Sequence, residues 1–151
     1  MSKHAITLQD LKTVADEEGV TFSSGNILLV RTGWIKWYEE NNEKDRLKYI
    51  TNGKAWVGVE GCYDTLEWLW NQHFSAVAGD SIGWEVWPPQ PEYMLHDHLL
   101  SLWGKPIGEM WDLETLSQEC EKHQRWTFLL TSSPLNVNHA VASPPNALAV
   151  L

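Results

Sequence analysis

The first thirty residues show the two hydrophobic periods on which a mixed fold depends. Leu8, Leu11 and Val14 recur at helical spacing, so a helix is predicted over residues 7–18, with Thr7 as its N-cap and Asp10 as the acid of a capping box. Residues 26–32 form a short continuous apolar run after a Ser-Ser-Gly turn, which is typical of a strand buried on both faces. A helix is thus followed by a buried strand.

The same alternation continues to the end of the chain. A polar stretch over 41–54 is predicted to be mostly loop, because it lacks an apolar stripe. The pattern predicts further helices over 34–40, 64–73, 92–103 and 113–122, and strands over 55–59, 75–78, 106–111, 126–131 and 147–151. Alternating helices and strands indicate the α/β class, and 151 residues suit a single domain over 1–151.

Residues 91–113 carry the strongest candidate chemistry. On the predicted helix 92–103, His96 points toward the apolar side, Asp97 points away and His98 lies at the edge of the apolar arc. In the predicted strand after it, Glu109 shares a face with Ile107 and Trp111, where a carboxylate needs a partner. A histidine and a carboxylate from separate elements form either half of a metal site or a buried ion pair.

Two other polar positions follow predicted buried strands. Arg31 ends the strand over 26–32 and is either a solvent-facing charge or a substrate contact. Asp80 follows the strand over 75–78, where a carboxylate either lines a functional crevice or serves as a turn residue.

Composition excludes several classes of function. The net charge is −9, and the 11 Lys and Arg residues form no basic cluster, so no nucleic-acid partner is expected. No run approaches 18 apolar residues, so we expect a soluble cytoplasmic protein without membrane association. Cys62 and Cys120 are isolated thiols that indicate neither a zinc ribbon nor a redox pair.

Nine segments together resemble the C-terminal half of the cyclase family, with the strongest likeness to its longer fungal members. This family comprises metal-dependent hydrolases that include kynurenine formamidases and isatin hydrolases. The leading match is residues 25–34, Gly-Asn-Ile-Leu-Leu-Val-Arg-Thr-Gly-Trp; the others are 58–60, 66–70, 76–80, 96–100, 107–109, 112–116, 133–136 and 142–147.

The resemblance implies a fold and a site. It implies a swivelling β/β/α domain that binds zinc or manganese, with His96 and Glu109 as metal ligands and His98 or Asp97 as alternatives to His96. It implies hydrolysis of the C–N bond of a small aromatic amide or formamide such as N-formylkynurenine. Three of the ten tryptophans, Trp84, Trp87 and Trp103, are the expected substrate contacts.

The family's signature His-x-Gly-Thr-His-x-Asp does not occur in this sequence. By resemblance it supplies most metal ligands and a catalytic histidine, so the ligand set here is incomplete and no catalytic residue is assigned. We therefore expect an N-terminally truncated form of the fold and leave its enzymatic status open, the alternative being an inactive paralogue that acts as a binding or interaction protein. Sheet edges that lose their neighbours are expected to produce a homo-oligomer or to recruit a partner chain.

Overall fold

Parallel strands form the centre of the first of two compact units in the computed structural model, which describes residues 3–151. This unit ends at Glu114, and the second is Thr115–Leu151. Its strands are β1 (Ala5–Ile6), β2 (Ile27–Val30), β3 (Gly58–Val59), β4 (Ala76–Gly79) and β5 (Ile107–Gly108). The α/β class is confirmed, and the expectation of a single domain stays a prediction.

The main sheet has the order β2-β4-β5, and both pairs are parallel. Val30 lies opposite Gly79, and Ala78 lies opposite Gly108. β1 and β3 form a separate parallel pair. Because parallel strands end at the same edge, the residues that follow β2, β4 and β5 are brought close together.

Helices cover the strands. They are α1 (Leu8–Glu17), α2 (Trp34–Glu40), α3 (Glu43–Asn52) and α4 (Tyr63–Asn71), followed by a 3₁₀ turn (Pro91–Tyr93) and a π-helical segment (Asp97–Leu102). The predicted capping box of α1 is confirmed, with the Thr7 hydroxyl accepting from the Asp10 N–H at 3.1 Å and the Asp10 carboxylate accepting from the Thr7 N–H at 2.8 Å. Leu69, Val77, Leu95 and Leu99 are fully buried in the core between helices and sheet.

The prediction of a loop over 41–54 is wrong, because α3 occupies most of it. The side chain of Asn42 caps this helix by accepting from the Asp45 N–H at 3.1 Å. Its apolar residues Leu47 and Ile50 are mostly exposed, which explains why no apolar stripe marks the helix. The cap, with an acid three residues later, is the sequence signal that could have identified it.

The predicted helix over 92–103 and strand over 106–111 are both shorter than expected. Met94 is extended and separates the 3₁₀ turn from the helical residues that begin at Leu95. β5 ends at Gly108, because Met110 has a φ of 55° and Trp111 folds back, its N–H donating to the Gly79 carbonyl at 3.0 Å. The shared face of Ile107, Glu109 and Trp111 therefore does not exist, and Glu109 lies in the turn.

The second unit contains most of α5 (Glu114–His123) and the antiparallel pair β6 (Leu129–Thr131) and β7 (Leu148–Val150). The predicted strands over 126–131 and 147–151 are confirmed with shorter bounds. β7 is exposed along its whole length. Within residues 3–151, no helix has both the length and the apolar character needed to cross a membrane.

Candidate functional site

Two glutamates hold the imidazole of His96 between them. Its Nε2 lies 2.9 Å from Oε1 of Glu109, and its Nδ1 contacts Oε1 of Glu85. The Glu85 side chain is 3% exposed, whereas those of His96 and Glu109 are 32% and 33% exposed. The cluster thus has a buried end at Glu85 and a solvent-facing end at Glu109.

Glu85 is fixed by the start of the helical segment that carries His96. Its Oε2 accepts the Leu95 N–H at 2.7 Å, and its Oε1 accepts the His96 N–H at 3.2 Å. Its backbone is held against β3, and a Cβ added at Gly58 would lie 2.3 Å from the Glu85 carbonyl carbon. Only glycine at position 58 allows this close approach, so the packing against β3 determines how deeply Glu85 is buried.

Glu109 is positioned by the turn that ends β5. Its Oε1 accepts the Trp84 N–H at 3.0 Å, and the next residue, Met110, donates its N–H to the Ser81 carbonyl at 3.0 Å. Within the described residues, both hydrogen bonds of the Glu109 carboxylate are to Oε1, so Oε2 is available to a ligand.

The electrostatics of the cluster favour a charged histidine flanked by anions. The hydrogen bond to Glu109, followed by that to Glu85, raises the pKa of His96 to about 10. Burial alone would raise the pKa of Glu109, but the hydrogen bonds from His96 and the Trp84 N–H outweigh it and lower that pKa. Without a metal, the cluster is a carboxylate–imidazolium–carboxylate system.

The same residues fit a metal in one particular way. A metal-binding histidine commonly donates its other ring N–H to a carboxylate, and Glu85 is placed to accept from Nδ1. Two tetrahedral zinc ligands at about 2.0–2.2 Å lie about 3.3–3.5 Å apart, so a metal between Nε2 of His96 and Glu109 would replace their 2.9 Å hydrogen bond and separate the two atoms by about 0.5 Å. Within residues 3–151, no group of three His, Cys, Asp or Glu side chains is arranged to hold a metal ion.

In the structure His96 contacts Glu109, whereas the two alternatives predicted from the sequence, His98 and Asp97, do not. His98 uses its Nδ1 on the Met94 carbonyl at 2.9 Å and packs its ring beside Trp103. Asp97 is exposed on the far side of the segment. The helical periodicity therefore indicated the histidine that contacts Glu109, although the helix is shorter than predicted, and its role as a metal ligand stays a prediction.

The three tryptophans predicted to contact substrate lie in different surroundings. Trp84 is 3% exposed, and its indole N–H donates to the Ala78 carbonyl at 3.1 Å. Trp87 stacks on Trp56 at 5.2 Å, and Trp103 packs edge-on against Trp70 at 5.1 Å. Trp84 joins the site through its backbone, and a substrate role for the three rings stays a prediction.

Sequence reasoning missed Glu85. It lies in an apolar run between Trp84 and Trp87, where a lone carboxylate carries the same signal that drew attention to Glu109. Its pairing with His96 depends on contacts across 11 residues, which no local period reports.

The edge of the main sheet carries two further polar groups. Asp80, fully buried, accepts from Thr32 through both N–H and hydroxyl and from the N–H groups of Gly33 and Trp34, at 2.6 to 2.9 Å, and so caps α2. Of its two predicted roles, the structural one as a turn and capping residue is observed. Arg31 donates through Nη1 to both oxygens of Glu114, at 3.2 and 3.1 Å.

Comparisons with known proteins give one consistent result. A family model described as "Cyclase: Putative cyclase" matches residues 1–86. A crystal structure of a novel cyclase superimposes with a TM-score of 0.86 and 31% sequence identity, over 99% of this chain and 48% of that one. The chain thus spans about half the length of the structure that it matches. No match was found among curated proteins.

Proposed function

Because the chain belongs to the cyclase family, we propose that it supplies half of the metal site of a hydrolase that cleaves the C–N bond of amides or formamides. The proposed substrates are small aromatic formamides such as N-formylkynurenine. His96 and Glu109 are the proposed ligands for zinc or manganese, and Glu85 is the proposed partner of the histidine.

The observation that supports this proposal most strongly is the position of His96 between two carboxylates of unequal burial. The buried Glu85 holds the proton on Nδ1, so the proton on Nε2, which faces Glu109, is the one that a metal would displace. A bound metal would polarise the substrate carbonyl and lower the pKa of a water molecule. The protein residues of this half orient that pair of ligands and hold the Nδ1 proton.

Two protein ligands bind a metal weakly and leave too many open positions. The proposed activity therefore requires further ligands besides His96 and Glu109. The metal affinity of this chain alone therefore measures how much His96 and Glu109 contribute to metal binding.

Metal analysis combined with an activity assay tests the proposal. We expect zinc or manganese titrated into the metal-free chain to bind weakly, and we expect His96→Gln and Glu109→Gln to abolish this binding while His98→Gln retains it. N-formylkynurenine hydrolysis, assayed with the further ligands supplied, should follow the same order, with thermal melts confirming that each variant is folded.

A folded protein that takes up neither metal, or whose metal survives both substitutions, would contradict the proposed site. If no hydrolysis accompanied that result, the alternative of a non-catalytic binding or interaction protein would replace the hydrolase.

A further inference from the structure

We infer that Arg31 is a specificity residue that binds a carboxylate of the substrate, exchanging it for the carboxylate of Glu114. This inference rests on the proposed hydrolase function and narrows its substrates to aromatic amides that carry an acidic group away from the scissile bond.

Arg31 and Glu109 lie at the same edge of the main sheet. Arg31 directly follows β2, and Glu109 directly follows β5, so both lie at the edge where the parallel strands end. This is the edge at which open parallel sheets bind their ligands. β4 lies between the two strands, so the two backbones are separated by two strand spacings, roughly 10 Å.

The second argument is the course of the chain between them. From Glu109 the backbone crosses the ends of the strands, pairing Met110 with Ser81 and Trp111 with Gly79, and it reaches Arg31 with Glu114. One six-residue segment therefore carries the proposed metal ligand at its start and the counter-ion of Arg31 at its end.

The third argument is that the ion pair is easily exchanged. The side chains of Arg31 and Glu114 are 44% and 16% exposed, so the guanidinium is open to solvent and its ion pair is weaker than a fully buried one. Among the hydrogen bonds of the described residues, the guanidinium donates through Nη1 alone, so the N–H groups of Nη2 and Nε can donate to a second carboxylate. A guanidinium binds a carboxylate in a two-point geometry that fixes its orientation.

The fourth argument is charge. The chain has a net charge of −9, which disfavours the approach of an anionic substrate. The Arg31 guanidinium supplies a positive charge at the same edge of the sheet as Glu109, and it favours substrates that carry a carboxylate in addition to the amide.

Kynurenine and kynuramine provide a matched pair of probes, because they differ only by the carboxylate. We expect isothermal titration calorimetry to show that the wild-type chain binds kynurenine more tightly. Arg31→Gln should weaken kynurenine binding about tenfold, with a much smaller effect on kynuramine. Glu114→Gln should tighten kynurenine binding, because the competing carboxylate is gone, and Lys36→Gln is the control for the loss of one positive charge.

The outcomes separate this inference from the proposed hydrolase. A purely structural Arg31–Glu114 pair would make both substitutions lower the melting temperature alike while the ratio of kynurenine to kynuramine affinity stays constant, and that result would overturn the role of Arg31. Equal binding of the two probes by the wild-type chain, or binding of neither, would also overturn it. Absence of hydrolysis with an intact, Arg31-dependent ratio would overturn the hydrolase alone.

Discussion

The imidazole of His96 makes different demands on its two carboxylate neighbours. Toward Glu85 it presents a proton that would stay in place if a metal bound, whereas toward Glu109 it presents a proton that the metal would displace, since a metal ligand has to be deprotonated. Under the proposed function, the two nitrogens of one side chain would divide a structural role from a binding role.

A pH titration of the metal-free protein tests this residue directly. The pKa of His96 is raised from 6.5 to about 10, so its ion pairs stabilise the fold fully below pH 6.5 and lose that effect as the pH rises through 10. The pKa of Glu109 is lowered from 4.5, so its contribution is present above pH 4.5 and disappears as the pH falls through the folded value. We expect the difference in melting temperature between wild type and His96→Gln to be largest between pH 4.5 and pH 6.5, where both contributions are present, and to vanish by about pH 10.5. A difference that stays constant across this pH range would contradict the pairing.

Glu85→Gln is expected to weaken zinc binding by about 10–100-fold, the range found when carboxylate partners of metal-bound histidines are removed. The amide can still accept the Leu95 N–H, but it no longer offers Nδ1 a negatively charged acceptor. Competition with a chromogenic chelator measures the affinity, and the exposed Glu67→Gln on α4 is the control. Equal affinities for wild type and Glu85→Gln would show that Glu85 only supports the fold.

At the residue scale, sequence reasoning found the histidine but only one of its carboxylates. His96 could be identified from the sequence because hydrophobic periodicity indicates which side of a helix faces the core. Glu85 could not, since its role depends on a long-range contact between a loop and the start of a helix.

At the scale of elements, Asp80 connects the end of β4 to the start of α2. A single buried carboxylate satisfies three backbone N–H groups and one hydroxyl, and Gly33, the N-cap, has no side chain that could do so. The geometry of the sheet edge therefore depends on this residue.

Asp80→Asn should lower the free energy of unfolding by roughly 2–4 kcal/mol, because one of the replaced oxygens becomes a donor that faces other donors. Urea denaturation followed by tryptophan fluorescence measures the loss. Asp16→Asn on the exposed side of α1 should change stability by less than about 0.5 kcal/mol. A similar small effect at both positions would contradict the capping role.

Helix and strand existence was predictable wherever an apolar stripe marks the element, as in α1, β2 and α4. The prediction failed at α3, which depends on its cap, and it made β5 too long, because this strand ends where Trp111 packs over Gly108. An added Cβ at Gly108 would lie 2.6 Å from that indole ring, which is a tertiary contact and leaves no local pattern.

At the scale of the molecule, charge is distributed unevenly along the chain. Residues 126–151 contain no Asp, Glu, Lys or Arg, although the whole chain carries a net charge of −9. In the same stretch Leu129, Leu148 and Val150 are 64%, 60% and 55% exposed. An exposed apolar strand pair without charged residues is prone to association.

We expect the chain to associate in a concentration-dependent manner, and Leu148→Lys to shift the equilibrium toward the monomer. A charge on β7 opposes the burial of this strand in any contact between copies. Multi-angle light scattering after size-exclusion chromatography measures the mass, with Val14→Lys on α1, at a position of 50% exposure, as the control. A compact monomer at all concentrations would contradict the expectation of an oligomer.

The bond from the Leu95 amide to Oε2 of Glu85 has a consequence for how the site can be observed. That amide belongs to a fully buried residue, and it exchanges with solvent only when the helix start separates from Glu85. The hydrogen-exchange rate of this one amide therefore reports the fraction of time for which His96 is correctly oriented. A metal that requires that orientation should slow the exchange in proportion to its occupancy, which provides a binding assay that needs no substrate.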